Sequence, residues 1–217
     1  MLKKGKLYII GDSYSTFEGC IPEGFAAWYF SGGTDVTDVT EKTETWWHML
    51  ISKTGMPLLL NNSWSGTTIC NTTYDGAYCP DTSFIGRFDK AAAELAKNPP
   101  EVLIIFGGTN DSWSGAPVGS LQWENWTDED LKKVLPAFCY LLCRAKQVLP
   151  NTQTAVIINT ELNPEIESGM TAACEKQGTE YIKLENISKQ NGHPDKEGMK
   201  QICSQVLKHF YKKEELI

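Results

Sequence analysis

Five short runs of almost uninterrupted apolar residues lie along the chain at intervals too wide for β-hairpins. None alternates apolar and polar positions as a strand with one face in water does. This pattern is typical of strands that are covered on both faces in a parallel sheet. The runs are LYII (7–10), PLLLN (57–61), EVLIIF (101–106), TAVIIN (154–159) and EYIKL (180–184).

Helical patterns separate these runs, and several carry end signals. Thr127 is placed to cap a helix that opens with three acidic residues, and Pro136 is expected to kink that helix. Asn163 followed by Pro164 predicts the start of the next helix. A last helix is expected from about 195 to 212, with its apolar residues on one face.

The alternation of strands and helices predicts an α/β fold, a three-layer αβα sandwich around a five-stranded parallel sheet. Residues 1–217 are expected to form one domain, because no repeat, low-complexity tract or linker interrupts the pattern. Two stretches, 14–44 and 112–126, do not fit the repeat. Both follow the carboxyl end of a strand, where such sheets build their sites.

Composition narrows the classes of partner. The chain has 217 residues, of which 41% are hydrophobic and 22% charged, with a formal net charge of -7. This is the composition of a globular protein, and its negative charge argues against nucleic acid and anionic membranes as partners. No apolar run reaches the about 20 residues that span a bilayer. The N-terminus lacks the apolar core of a secretory signal, so a cytoplasmic location is expected.

The seven cysteines include no CxxC pair. Free thiols in a reducing compartment are therefore expected. Cys70 and Cys79 bracket a polar loop and form the one pair that warrants a test for a disulfide.

Loops that carry polar or flexible residues are expected after four of the five strands. Ser13 comes after the first, Gly66 after the second, Asn110 after the third, and His193 after the fifth. At one sheet edge they would supply a hydroxyl, a backbone donor, an amide donor and an imidazole, the set that acyl transfer requires. Asp12 is expected to order the loop through backbone hydrogen bonds. No metal site or cofactor is expected.

These segments carry a family resemblance. GDS after the first strand, Gly66, GGTND after the third strand and HP before the last helix resemble the SGNH (GDSL-type) hydrolases. The resemblance implies a flavodoxin-like fold and hydrolysis of esters or thioesters. It implies that Ser13 is the nucleophile and His193 the general base. It also implies an oxyanion hole formed by the N–H groups of Ser13 and Gly66 and the Asn110 amide.

One position departs from the family's pattern. The family usually has an aspartate three residues before the histidine, and this chain has Gln190 there. The Gln190 side-chain oxygen or a backbone carbonyl could accept the imidazole hydrogen and leave a Ser-His dyad. Glu185, Asp195 or Asp111 could instead reach His193 through the fold, and the sequence does not choose among them.

The chain has seven tryptophans, and those in the irregular segments could form a flat apolar wall of the substrate site. Trp64 and Trp113 lie in the segments that carry Gly66 and Asn110, and are expected to line the substrate site. Trp46 and Trp47 are expected in the core, whereas Trp28 lies in the first irregular stretch.

The expected activity is hydrolysis of a small acyl ester, acetyl in the leading case, on a carbohydrate. The alternatives are a thioesterase or lysophospholipase-type acyl hydrolase, a non-catalytic ligand-binding relative, and an interaction domain. The small-molecule ester is the partner that these residues predict, and the oligomeric state stays open.

Overall fold

The computed structural model describes residues 2–211 and contains a five-stranded parallel sheet in the order β2-β1-β3-β4-β5. The α/β fold expected from the apolar runs is therefore confirmed, and each strand lies within two residues of its predicted bounds. The strands are β1 (Leu7–Gly11), β2 (Leu58–Ser63), β3 (Val102–Gly107), β4 (Gln153–Ile158) and β5 (Glu180–Lys183).

Helices cover both faces of the sheet. They are α1 (Trp46–Thr54), α2 (Phe84–Lys97), α3 (Thr109–Ser114), α4 (Asp128–Leu131), α5 (Val134–Val148), α6 (Pro164–Gln177) and α7 (Lys196–Phe210). Along β1, Leu7 and Ile9 pack with α1 and α7, whereas Tyr8 and Ile10 pack with α2, α5 and α6. Strand β1 is thus buried on both faces, which explains why its sequence does not alternate.

The segment around Pro136 differs from the prediction. Instead of one kinked helix, α4 ends at Leu131 and α5 begins at Val134, so Pro136 lies in the first turn of α5. A first-turn N–H has no partner within the helix, so proline is accommodated there without a kink. The Val134 N–H donates to the Pro117 carbonyl at 2.9 Å.

The other helix signals are in place. Asn163 caps α6 by accepting a hydrogen bond from the Glu165 N–H, and Pro164 is its first residue. Asp195 caps α7, which ends at Phe210. The predicted end of this helix at 212 lies outside the described residues.

All seven cysteines are free thiols, so Cys70 and Cys79 are not joined in this structure. Burial raises the pKa of the Cys70 thiol. Within residues 2–211, the helices are too short or too polar to cross a bilayer.

Candidate active site

Ser13 is the second residue after β1 and begins a tight turn of 3-10 geometry over residues 13–15. Asp12 caps this turn, and its Oδ1 accepts a hydrogen bond from the Tyr14 N–H at 3.1 Å, the ordering role that the sequence predicted. The Thr16 hydroxyl donates to the Ser13 carbonyl at 2.9 Å. The turn therefore fixes the backbone on both sides of the Ser13 hydroxyl.

His193 meets Ser13 across the molecule. The His193 Nε2 atom lies 2.9 Å from the Ser13 Oγ atom, although the two residues are 180 positions apart. The His193 Nδ1 atom lies 3.1 Å from the carbonyl oxygen of Asn191. Because a carbonyl can only accept, Nδ1 carries the ring hydrogen and Nε2 is left to accept from the serine hydroxyl.

The segment that carries His193 is a small hairpin, and not the loop that the sequence analysis assumed. Strand β6 (Lys189–Gln190) pairs antiparallel with β7 (His193–Pro194), and Gln190 stands opposite His193. The two residues between them, Asn191 and Gly192, have φ values of 50° and 76°. Positive φ at both central residues is typical of a type I′ turn, for which Asn-Gly is the strongest sequence signal. That signal was present in QNGHP and could have predicted the hairpin.

This turn holds the imidazole partner in place. The Asn191 side-chain amide donates to the Val36 carbonyl at 3.0 Å, and the Tyr14 hydroxyl donates to the Gly192 carbonyl at 2.5 Å. The turn is therefore anchored both to the first irregular stretch and to the residue after Ser13. A backbone carbonyl, one of the alternatives left open by the sequence, is the acceptor for the Nδ1 hydrogen.

The side chains considered as partners of His193 lie elsewhere. Gln190 and Glu185 are exposed. The Asp195 carboxylate accepts from the Ser188 hydroxyl and the Gly198 N–H at the start of α7. The buried Asp111 carboxylate accepts from the backbone at 69–70.

The turn of Gly66 is joined to Asn110 and to the end of β1, the strand that precedes Ser13. Gly66 has φ 79° in a turn that the Thr67 N–H closes on the Trp64 carbonyl, as in a type II turn. Asn110 lies in the first turn of α3, and not in a loop, and its Nδ2 donates to the Thr67 carbonyl at 2.9 Å. An amide nitrogen carries two hydrogens, so one remains for a ligand. The Trp64 N–H donates to the Gly11 carbonyl at 3.1 Å and ties this turn to the end of β1.

A buried cation under the site escaped the sequence analysis. Arg87 of α2 is 2% exposed. Its guanidinium donates to the Gly11 carbonyl and the Thr67 hydroxyl, both at 3.0 Å, and also to the carbonyls of Asn62 and Thr82. Burial lowers its pKa to about 9, so it is still charged at neutral pH. Arg87 thereby links the ends of two strands to the turn of Gly66.

The chain is similar to known proteins in its sequence and in its fold. A family model described as GDSL-like Lipase/Acylhydrolase matches residues 5–210. The chain belongs to this family. Two crystal structures assigned as GDSL-like lipases agree with this membership, since both are at least 40% identical to the acylhydrolase and cover nearly all of it.

The first is from Bacteroides uniformis ATCC 8492, with 42% identity, 95% of each chain covered and a TM-score of 0.87. The second is from Bacteroides ovatus ATCC 8483, with 40% identity, 94% of this chain and 96% of that one covered, and a TM-score of 0.87. The fold is also shared with an acetyl xylan esterase, Est2A, from Butyrivibrio proteoclasticus. That match has 17% identity and a TM-score of 0.60, and covers 96% of this chain and 63% of that one. No curated protein matched the chain. The SGNH resemblance is confirmed, and the protein is an ester hydrolase.

Aromatic rings surround the imidazole of the acylhydrolase. The Trp28 ring is stacked on that of His193, with 3.6 Å between centroids and 10° between planes. Trp113, which is 41% exposed, stands edge-on to His193 at 5.6 Å. Trp64 is stacked with Phe25 at 4.1 Å. No sequence signal pointed to the contact of Trp28, because its stretch has no periodicity from which packing can be predicted.

Burial shifts the pKa values of the titratable groups at this site. It lowers the pKa of His193, since water is excluded from the charged imidazolium. It raises the pKa of Asp12 to about 7 and that of Tyr14 well above its ordinary value. The imidazole is therefore neutral, and able to accept a proton, at neutral pH. Residues 2–211 contain no group of three or more His, Cys, Asp or Glu residues that could hold a metal ion.

Proposed function

We propose that this acylhydrolase removes a small acyl group, acetyl in the leading case, from a carbohydrate ester through an acyl-enzyme intermediate. The observation that carries the proposal is the 2.9 Å contact between the Ser13 Oγ and His193 Nε2 atoms. A hydroxyl bonded to a neutral imidazole is the activated nucleophile of acyl transfer.

In the first half of the reaction, the Ser13 Oγ atom attacks the acyl carbon while its proton passes to His193 Nε2. The negative charge that forms on the carbonyl oxygen is stabilised by the N–H groups of Ser13 and Gly66 and by the second hydrogen of the Asn110 amide. The bond to the alcohol then breaks, and the proton on His193 passes to the departing oxygen.

In the second half, His193 takes a proton from water, and the hydroxide attacks the acyl-Ser13 carbon. Collapse of this second intermediate breaks the bond to Ser13 Oγ, which recovers its proton from His193. The products are a carboxylic acid and a free enzyme, so every proton and bond is accounted for.

Three observations support a carbohydrate ester. The exposed face of Trp113 lies beside His193, and Trp64 with Phe25 forms a second flat apolar surface next to the turn of Gly66. Aromatic faces of this kind suit the apolar faces of sugar rings. One protein of the same fold is an acetyl xylan esterase. The net charge of -7 disfavours anionic acyl carriers.

The reaction is tested with p-nitrophenyl acetate and a fluorophosphonate probe. We expect the wild type to turn over the ester and to be labelled at Ser13. Ser13→Ala should lose the label and at least about 10³-fold in kcat. Absence of both turnover and labelling in a folded wild-type protein would contradict the proposal and favour a non-catalytic ligand-binding relative.

The substrate class is tested by comparing kcat/KM for acetylated xylo-oligosaccharides, p-nitrophenyl esters of longer acids, an acyl-CoA and a lysophospholipid. We expect the acetylated sugar to be preferred. Trp113→Ala should raise KM for the sugar ester and leave that for p-nitrophenyl acetate nearly unchanged. If acyl-CoA or the lysophospholipid were preferred, the proposed substrate class would be wrong, and the preferred compound would indicate the substrate class instead.

A further inference from the structure

We infer that Trp28 is a positioning residue for His193, whose indole face stabilises the imidazolium in place of the aspartate that the family usually supplies. This inference rests on the proposed function, since it assigns a role in the proton transfer from Ser13. The contact concerned, between the rings of Trp28 and His193, takes no part in the bond making and breaking of the proposed reaction.

The contact is a close parallel stack. The ring centroids of Trp28 and His193 are 3.6 Å apart and the planes differ by 10°. The other two rings at His193 meet it at steep angles, Tyr14 at 52° and Trp113 at 73°. Among these three rings, Trp28 alone presents its π face to the face of the imidazole. That arrangement fixes the plane of the His193 ring.

The backbone of Trp28 is tied to both partners of the pair. Its N–H donates to the Thr16 hydroxyl at 2.9 Å, and that hydroxyl donates to the Ser13 carbonyl. The neighbouring Tyr29 hydroxyl donates to the Pro194 carbonyl at 2.8 Å, directly after His193. The buried indole N–H of Trp28 has no hydrogen-bond partner within the described chain. The position of the ring is thus set by its backbone and by the stack.

Few of the charged groups around His193 can stabilise its imidazolium. The groups that act on it or stand near it are the Lys189 ammonium, the Tyr14 phenol and, behind Tyr14, the buried Asp12. Lys189 disfavours a second positive charge, although it is paired with Glu161 at 2.8 Å. Among residues 2–211 no carboxylate forms an ion pair or hydrogen bond with His193. The imidazolium therefore faces the Asn191 carbonyl and the Trp28 ring, and tryptophan provides the strongest cation–π surface.

Trp28 could act on His193 in two opposite ways. By excluding water, the indole would disfavour the imidazolium, so its removal would raise the pKa of His193. By its π electrons, it would favour the imidazolium, so its removal would lower that pKa. The inference requires the second effect to be the larger. The direction in which the pKa of His193 changes when Trp28 is substituted therefore shows whether the indole stabilises the imidazolium or mainly excludes water from it.

The first test does not depend on activity. The pKa of His193 is measured by NMR in Ser13→Ala and in the same protein with Trp28→Leu or Trp28→Phe, with His193→Gln used to assign the signal. We expect Trp28→Leu to lower the pKa by about one unit and Trp28→Phe to restore part of it. An unchanged or raised pKa in the folded Trp28→Leu protein would overturn the inference.

The second test uses p-nitrophenyl acetate and the variants with Ser13 intact. We expect Trp28→Leu to lower kcat by up to about 10-fold, the factor that corresponds to a fall of one unit in the pKa of His193, and to move the acid limb of the pH profile to lower pH. Trp28→Phe should retain more activity than Trp28→Leu. Trp113→Leu is the comparison for the pKa of His193 and for the acid limb only, because it also removes an indole from His193 but leaves the stack, and its KM can change through the substrate site.

Different results would contradict the proposed function and the role of Trp28. If the wild type has no esterase activity, the proposed function fails, while the NMR titration still reports on Trp28. If Trp28→Leu changes KM alone, or shifts the pKa no more than Trp113→Leu does, then Trp28 is a substrate wall and the inference is wrong.

Discussion

At the scale of single residues, the backbone carbonyl of Asn191 takes the place of the aspartate side chain that the family usually has where this chain has Gln190. The φ of 50° at Asn191 turns this carbonyl toward the Nδ1 atom of His193, and the Asn-Gly sequence makes this conformation accessible. A carbonyl fixes the tautomer as an aspartate does, but it carries no full charge to balance the imidazolium. The charge balance is thereby left to other groups near the ring.

Asp12 is the residue whose burial makes the strongest prediction about pH. Burial raises its pKa to about 7, and its Oδ2 atom has no partner in residues 2–211. In the unfolded chain the ordinary value is 3.8. The folded state then binds more protons between these values, so its stability falls as pH rises through that window.

We expect Asp12→Asn to remove this loss, because the amide stays neutral while its oxygen can still accept from the Tyr14 N–H. The difference in unfolding free energy between the variant and the wild type should be constant below about pH 4, increase in favour of the variant up to about pH 7, and then level off. Urea unfolding at a series of pH values measures it. A difference that does not change with pH would show that Asp12 is not protonated in the folded protein.

At the scale of elements, short turns at strand ends place the donors. The turn of Gly66 is open to solvent, and a Cβ there would meet no atom within 4 Å. The glycine is therefore required by its φ of 79° and not by space. Gly76 offers the same conditions in another turn, with φ 84° and no atom within 4 Å of a Cβ.

Gly66 and Gly76 together allow a test of the role of the Gly66 N–H group. Gly66→Ala and Gly76→Ala should each cost about 1 kcal/mol of stability, because alanine is strained at positive φ. Only Gly66→Ala should lower kcat, by up to about 10²-fold, since its backbone N–H would be displaced from the oxyanion. Thermal unfolding and p-nitrophenyl acetate kinetics test the two parts. Equal activity in the two variants would show that the Gly66 N–H has no role in the reaction.

At the scale of the whole molecule, Arg87 connects the layer of α2 to the reactive edge of the sheet. Its guanidinium reaches the ends of β1 and β2 and the turn that contains Thr67. Removal of this side chain would take a donor from the oxygens of Gly11, Asn62, Thr67 and Thr82. Arg144, the other arginine of the chain, pairs with Asp89 near the surface, with its side chain 29% exposed.

We expect Arg87→Met to lower the unfolding free energy by about 3–5 kcal/mol and Arg144→Met by no more than about 1 kcal/mol. Calorimetry would compare the two melting temperatures. Arg87→Lys, which keeps the charge but loses the planar fork, should have a melting temperature between those of the two variants. It takes the place of Arg87→Met in the comparison if Arg87→Met does not fold. Similar losses in Arg87→Met and Arg144→Met would contradict the linking role of Arg87.

Much of this structure could be predicted from the sequence. The apolar runs gave all five strands of the parallel sheet within two residues, and Asn163 with Pro164 marked the start of α6. The prediction for Pro136 was wrong, because the apolar pattern continues across the break between α4 and α5. The hairpin of His193 was missed, although Asn191 and Gly192 carried its signal.

The sequence by itself determined the sheet, its strands and the four polar groups at one edge, because each depends on a pattern within a few neighbouring residues and on the rule that carboxyl ends of parallel strands share an edge. Only the tertiary structure decided which group meets the Nδ1 atom of His193, where Arg87 makes its hydrogen bonds and which ring stacks on the imidazole. Those contacts join residues far apart in the chain through irregular segments. Their backbone path depends on packing and hydrogen bonds that no local periodicity specifies.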